Sequence, residues 1–252
     1  MLYFAFCLGD LLLTNKNTIP DDLTQILSIQ PWHKKIQFTS VAGTPCLALK
    51  LDTPICKEGY KMMGLRETFN VLDNESYALA GKARELLYWN NNTQYCGVCG
   101  SPMKFHTPIS KRCTECGKEV WPSLAPAIIV AITHQNNILL VQSKNFKGDY
   151  MGLVAGFVET GEDLEECVVR EVKEETGIEI CNIRYIASQA WPYPSGLMIG
   201  FTAEYKSGEI NLQHTELNKG GWYDLQNLPP IPGKVSLARR LIDYVIKNSH
   251  HE

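Results

Sequence analysis

Two short cysteine motifs constrain this chain more than any other feature. Cys96-Gly-Val-Cys99-Gly and Cys113-Thr-Glu-Cys116-Gly are matched C-x2-C-G knuckles with thirteen residues between them. Each knuckle aims two thiolates at one point, and the glycine that follows lets the chain curl back. Four soft thiolates at this spacing fill the tetrahedral shell of Zn2+, so the expected site is a structural zinc ribbon. Disulfides, a redox pair or an iron–sulfur site are the alternatives. The other five cysteines, Cys7, Cys46, Cys56, Cys167 and Cys181, are scattered and read as small core residues. Nine is an odd count. The greasy start, residues 1–13, has no basic flank and is interrupted by Asp10, so it reads as a strand pair turning near Gly9-Asp10 and not as a signal peptide. Both points argue for a reducing, cytoplasmic setting over a secreted disulfide framework.

The knuckles also divide the chain. Its 252 residues allow one or two large domains around the ribbon. We expect a small β-rich domain over 1–92, the ribbon over 93–122 and an α/β domain over 123–252. In the first part, apolar runs predict strands at 2–6, 36–41, 46–51 and 68–71, followed by a helix over 75–89 that the run Asn90-Asn91-Asn92-Thr93 ends. In the last part, strands are expected at 127–132, 137–141, 151–158, 183–189, 198–205 and 221–223. Helices are expected over 162–176 and 236–247, the second capped by Ser236. A net charge of -3 argues against nucleic-acid binding by bulk charge but leaves room for a local basic patch. No apolar run approaches the ~20 residues of a membrane helix, so no membrane partner is expected.

The helix over 162–176 carries the most chemistry. Gly161 allows a tight loop before it and Gly177 stops it. At about 100° per residue from Leu164, Glu171 falls at roughly 340°, Glu175 at 20° and Glu174 at 280°, while Val168 and Val172 fall at roughly 40° and 80°. A solvated acidic helix would put its carboxylates opposite the apolar stripe, whereas these overlap its edge. Carboxylates crowded beside a core raise one another's pKa unless a cation neutralises them, and oxygen donors of this type suit Mg2+ or Mn2+. Such an ion can bind phosphate and acidify a bound water. Arg170 is placed to pair with Glu174 one turn on.

Residues 156–178 resemble the Nudix box, G-x5-E-x7-REU-x-EE-x-GU, and match every fixed position of it: Gly156, Glu162, then Arg170-Glu171-Val172-Lys173-Glu174-Glu175-Thr176-Gly177-Ile178. The resemblance implies an α/β fold of the Nudix α/β/α sandwich type and hydrolysis of a nucleoside diphosphate linked to another moiety. It implies that Glu171 and Glu175 are metal ligands and Glu174 a further ligand or base. Arg170 would orient the carboxylates, and Glu162 would fix the loop against the helix.

Ser188-Gln189-Ala190-Trp191-Pro192-Tyr193-Pro194-Ser195-Gly196 is similar to the SQPWPFPxS signature of the NAD(H) diphosphatase (NADH pyrophosphatase) subfamily. That subfamily has the same order of β-rich domain, four-cysteine ribbon and Nudix domain. An aromatic pair on a proline-stiffened loop makes a rigid wall for a flat ring. By this resemblance, residues Gln189 to Gly196 line the substrate, Phe157 and Trp121 stack on it, Arg66 reaches it from the first domain, and Ala238 offers it a backbone contact. The carbonyl of Ala155 and the carboxylate of Glu216 would join the Mg2+ or Mn2+ ligands. Ala190 replaces the first proline of the signature, Tyr193 its phenylalanine and Gly196 its last serine, while Lys219 stands where a second acid often follows Glu216. Trp121 stands where a tyrosine is familiar.

The implied reaction is divalent-metal-dependent cleavage of NADH or NAD+ to nicotinamide mononucleotide and AMP, with removal of NAD caps from RNA as the same cut on a longer substrate. The implied assembly is a homodimer. The rivals are a Nudix hydrolase of ADP-ribose or dinucleoside polyphosphates, and a zinc-ribbon regulator that binds nucleic acid and only senses a nucleotide.

Overall fold

A computed structural model of the chain describes residues 1–30, 33–146 and 148–249. They fall into two compact units, Met1–Leu124 with Trp191–Ser195, and Ala125–Ala190 with Gly196 onward.

In the first unit, β1 (Leu2–Cys7) and β2 (Asp10–Thr14) pair antiparallel around Leu8 and Gly9, whose φ values of 50° and 101° make the tight turn. β3 (Lys35–Thr39) and β4 (Pro45–Lys50) form a hairpin, and β4 runs parallel to β1. β5 (Tyr60–Gly64) pairs with β2, giving the order β3-β4-β1-β2-β5. Strand alternation sends Phe4, Phe6, Leu11 and Leu13 to one face, where Leu79, Ala80, Ala83 and Leu86 of the helix α2 (Asn74–Asn92) cover them. Ala5, Cys7, Leu12 and Leu49 face the other way and are covered by Leu23 and its neighbours.

Two local expectations fail here. Residues 68–71 are not a strand: α1 (Leu65–Thr68) is a single helical turn, and the turn continues through Asn70, Val71 and Leu72 bonding back to Glu67 and Thr68. The Thr68 hydroxyl donates to the Leu65 carbonyl at 2.7 Å, which satisfies a buried group locally instead of in a sheet. The asparagine run does not end α2 but forms its last turn. Lys111, buried in the ribbon, donates to the carbonyls of Asn90 (3.0 Å) and Thr93 (2.9 Å) and so caps the helix from outside its own sequence. Burial, with repulsion from Lys34, holds the Lys111 ammonium down to about 8.

The ribbon is a three-stranded meander of β6 (Met103–Thr107), β7 (Ser110–Cys113) and β8 (Glu119–Val120).

The second unit is the sandwich the resemblance implies. β9 (Ala125–His134) is central, between β10 (Asn137–Ser143) and β13 (Gly196–Ser207), with β11 (Val154–Phe157) also paired to it. β12 (Glu179–Trp191) and β14 (Leu217–Asp224) are the edges. Ile128, Val130 and Ile132 point to the core beneath α3 (Leu164–Thr176), and Ile129 and Ala131 to the core beneath α4 (Leu237–Asn248). Asp163 and Glu166 close a capping box on α3, Gly177 (φ 76°) ends it, and Ser236 caps α4. Among the described residues no helix is long and apolar enough to cross a membrane.

Candidate active site

β11 delivers the chain to the loop before α3, and the loop is clamped by one arginine. Arg170 bonds both oxygens of Glu162, with Nη2 to Oε2 at 2.9 Å, and also the Phe157 carbonyl at 3.0 Å, Glu171 at 2.8 Å and Glu174 at 3.1 Å. Glu162 in turn accepts from the Glu159 amide at 2.9 Å. These bonds, led by that from Arg170, hold the Glu162 carboxyl down to about 2 and raise Arg170 further above its ordinary range. The arginine therefore ties the loop, the strand end and the acidic face into one unit.

Glu175 is different. It is only 6 % exposed, and no hydrogen bond or cation among the described residues reaches its carboxylate. Burial pushes its pKa to about 8, aided by repulsion from Glu171, Glu216 and Glu174. Burial also raises Glu171, which Arg170 partly offsets. A buried carboxylate ringed by three others is stable as an anion only with a cation between them. The donor set is all oxygen, which fits a hard divalent ion. Glu216 is exposed on the loop before β14, and Ala155 lies on β11 opposite Ile129. Lys219, the departure from the second-acid pattern, pairs with Asp149 at 3.1 Å, where Gln142 also donates. Phe157 is 65 % exposed, so its ring is not part of the core and is free for stacking.

Gly156 has a steric reason. A Cβ there would overlap the Glu171 carboxylate. The obstructing atoms end a flexible side chain, so the fold can yield by moving Glu171 aside. Gly156→Ala is therefore expected to leave the melting temperature within a few degrees but to cut turnover about 100-fold through a misplaced carboxylate. Steady-state kinetics and a thermal melt of the same sample check this, and an active variant would show that Glu171 need not sit there.

In the first unit, the loop Trp191–Ser195 is held on α2. Pro192 packs where Gly81 has no side chain; a Cβ there would come within 3.2 Å of its ring. Ser195 donates to the Ser123 carbonyl at 2.8 Å. Arg66 lies over both Trp191 (4.9 Å) and Tyr193 (5.0 Å), and Arg84 lies over Tyr193 at 5.1 Å. The Tyr193 hydroxyl bonds that of Tyr77 at 3.2 Å, and burial raises its pKa beyond the ordinary tyrosine range. The structure thus joins Arg66 to the aromatic loop. Sequence reasoning missed Arg84, because only the folded helix places it there. It also missed Glu85, one helical turn after Gly81, which has a buried oxygen with no partner and is pushed up to about 7 by burial. Trp121 is 55 % exposed in the same unit. In the second unit, Gln189 donates to the Val235 carbonyl at 2.7 Å, Ala190 is exposed, Gly196 opens β13, and Ala238 is buried in the first turn of α4.

The sulfur atoms of the four knuckle cysteines lie within 4.8 Å of one another, with Cys96–Cys116 at 3.6 Å and Cys99–Cys113 at 3.4 Å. None is bonded to another, and tetrahedral Zn2+ would separate its sulfurs by about 3.8 Å. Gly100 and Gly117 take φ values of 75° and 74°, as the knuckles require. The Ser101 amide and hydroxyl draw the Cys99 thiol down to about 6, while at Cys116 the bond from the Lys118 amide is outweighed by those among the sulfurs, which push its thiol up to about 12. A metal would take all four as thiolates.

Residues 123–245 match the family model described as NUDIX domain, and residues 2–89 match the one described as NADH pyrophosphatase-like rudimentary NUDIX domain. The protein named NAD-capped RNA hydrolase NudC of Pseudomonas aeruginosa is 41% identical over 210 residues, which is 82% of this chain and 75% of that protein. Its namesake of Stutzerimonas stutzeri is 37% identical over 233 residues, 88% of this chain and 84% of that protein. Among solved structures, a NUDIX hydrolase from Nitrosomonas europaea is alike in fold, with a TM-score of 0.54 at 20% identity over 63% of this chain and 93% of that one.

Proposed function

Because the chain belongs to the Nudix hydrolase family, in its NADH pyrophosphatase-like group, we propose that it is an NAD(H) diphosphatase acting on NADH, NAD+ and the NAD cap of RNA. The products are nicotinamide mononucleotide and AMP, or nicotinamide mononucleotide and a 5′-monophosphate RNA. One observation carries this reading: Glu175 is buried beside Glu171 and Glu174, on the helix that Arg170 locks to its preceding loop, and feels Glu216 from the loop before β14.

Mg2+ or Mn2+ would be held by Glu171, Glu174, Glu175, Glu216 and the Ala155 carbonyl. When bound, the ion supplies charge neutralisation for the diphosphate and a water acidic enough to attack phosphorus. The chain's own residues do the rest. Arg170 fixes the directions of Glu171 and Glu174, so neither has to reorganise when negative charge builds on the phosphate. Glu162 keeps the loop from carrying Gly156 and Phe157 away from α3. Trp191 and Tyr193 offer flat apolar walls, backed by Arg66, and Phe157 and Trp121 are available for base or nicotinamide stacking. Gln189, Ala190, Pro192, Pro194, Ser195, Gly196 and Ala238 complete the proposed substrate contacts. The four cysteines hold a structural Zn2+, the chain acts as a homodimer in the cytoplasm, and the division at 1–92, 93–122 and 123–252 is its functional organisation.

The test incubates the protein with NADH, NAD+, ADP-ribose and NAD-capped RNA in Mg2+ or Mn2+ and separates the products by chromatography. Nicotinamide mononucleotide from the first, second and fourth is the expected result. Cleavage of ADP-ribose alone would mean that Ala190 and Gly196 have redirected the loop, and no cleavage of any would leave a binding protein.

A further inference from the structure

A groove in the first unit, lined by none of the residues of the aromatic loop, has the composition of a nucleic-acid subsite. Its volume is about 440 Å³, and Lys35, Gln37, Leu47, Phe105, His106 and Thr107 are among the residues that line it. It runs between two sheet edges, since β3 is the outer strand of the five-stranded sheet and β6 the outer strand of the ribbon. Lys35 and Gln37 alternate with buried Ile36 and Phe38, so β3 turns its polar side out. Phe105 is 47 % exposed, and its ring is braced edge-on against Trp89 at 5.9 Å and over the Lys111 ammonium at 5.3 Å. A rigid, half-exposed ring of this kind is a stacking platform.

The charge around it is one-sided. Residues 23–51 and 86–114 supply both walls, and neither stretch contains an aspartate or glutamate, although the chain has 27 of them. They contain Lys34, Lys35, Lys50 and Lys104, which are exposed, with Lys111 buried beneath Phe105 and Arg112 paired with Glu119. Lys34 and Lys111 are close enough to repel each other. Glu119, which feels His106, is already engaged by Arg112 at 3.0 Å and Ser110 at 2.6 Å. The chain's overall charge of -3 hides this local excess.

We propose that the groove binds single-stranded RNA, taking a nucleotide downstream of the cap with its base on Phe105 and its phosphates toward Lys35 and His106. The inference rests on the reading that NAD-capped RNA is a substrate. Along α2, Gly81, which seats the aromatic loop, and Trp89, which braces Phe105, are about 12 Å apart. An RNA held at its cap by the loop therefore reaches the groove within a few nucleotides, whereas NADH has no downstream nucleotide to place there.

The experiment measures anisotropy of a fluorescein-labelled, uncapped single-stranded RNA with the full protein and with Lys35→Glu/His106→Glu. NADH turnover and light-scattering mass are read on the same samples. Both substituted residues are exposed, so folding is not at stake. RNA affinity should fall about tenfold or more and its salt dependence should flatten, because the Lys35 cation and the His106 donor are replaced by two carboxylates that repel phosphate. Hydrolysis of NADH should not change, and kcat/KM for NAD-capped RNA should fall with the affinity. Phe105→Leu should weaken RNA binding several-fold at unchanged salt dependence, which separates stacking from charge. RNA affinity within twofold of the parent in all variants would overturn the proposal. So would a loss that comes with a change in mass, which would assign the groove to a second copy of the chain. Failure to decap RNA in the product test would strike the functional reading, while the anisotropy of uncapped RNA would still decide the groove.

Discussion

Glu175→Gln should abolish turnover and, without added metal at pH 8, raise stability. The first effect is a loss of about 1,000-fold or more, since a ligand and an anionic partner in the proposed reaction are removed together. The second follows from burial. Desolvation and three neighbouring carboxylates lift Glu175 to about 8 in the folded chain, against about 4.3 when unfolded. An acid whose folded pKa is raised contributes stability that is complete below its unfolded pKa. That contribution is lost as pH climbs toward the folded pKa, because only the unfolded state gives up the proton readily. The metal-free parent should therefore lose melting temperature between pH 5 and pH 8, and the glutamine variant should lose less. A net change on the order of 1 kcal/mol moves the melting point of a chain this long by about 2–4 °C, so the difference is measurable. Mn2+ at pH 8 should restore the parent and leave the variant unmoved. Equal pH slopes in the two proteins would show that Glu175 is not the strained group.

Much of this was legible in the sequence because the signals were local. Asp163, Glu166 and Gly177 set the ends of α3 by capping chemistry, and the angular positions of Glu171 and Glu175 on the apolar edge anticipated a half-buried and a buried carboxylate. The central strand, Ala125–His134, announced itself by a run apolar on both faces, as a strand between two helices must be. The cysteine knuckles foretold a sulfur cluster because ligand spacing is nearly independent of the rest of the fold.

What escaped was set by distant partners. Asn90-Asn91-Asn92 favours helix poorly, and the last turn stands on side-chain donors: Asn92 to the Tyr88 carbonyl, Thr93 to that of Trp89, Gln94 to that of Asn90, and Lys111 from the ribbon to those of Asn90 and Thr93. Tyr60–Gly64 has no β-branched residue and is a strand because β2 offers it a free edge. Arg66 could be suspected from a resemblance, but its place over Trp191 and Tyr193, and the second guanidinium of Arg84, arise from three segments far apart in sequence. The charge segregation around the groove was present in the sequence, though invisible until the fold put residues 23–51 beside 86–114.

Removing the proposed zinc, by chelation or by Cys113→Ser, should unfold the ribbon and unravel the end of α2 with it. The ribbon cannot hold itself. Its buried apolar cluster is Cys96, Met103 and Cys113, with Val120 partly covered, and two of those side chains are themselves proposed zinc ligands. Strands of two to five residues over so small a core depend on a metal, whose binding is worth about 10 kcal/mol or more in modules of this size. The damage should not stop at the ribbon. Lys111 keeps its buried place only while β7 is formed, and without it the Thr93 carbonyl loses its donor and the Asn90 carbonyl keeps only the side-chain amide of Gln94. Hydrogen exchange should therefore accelerate first across 93–122 and then in the last turn of α2, while the strands around β9 keep their protection. Elemental analysis should find one zinc per chain before treatment and none after. Unchanged exchange after complete removal would mean that the cysteines hold no structural ion, and fast exchange confined to the ribbon would mean that α2 ends where its own asparagines would end it.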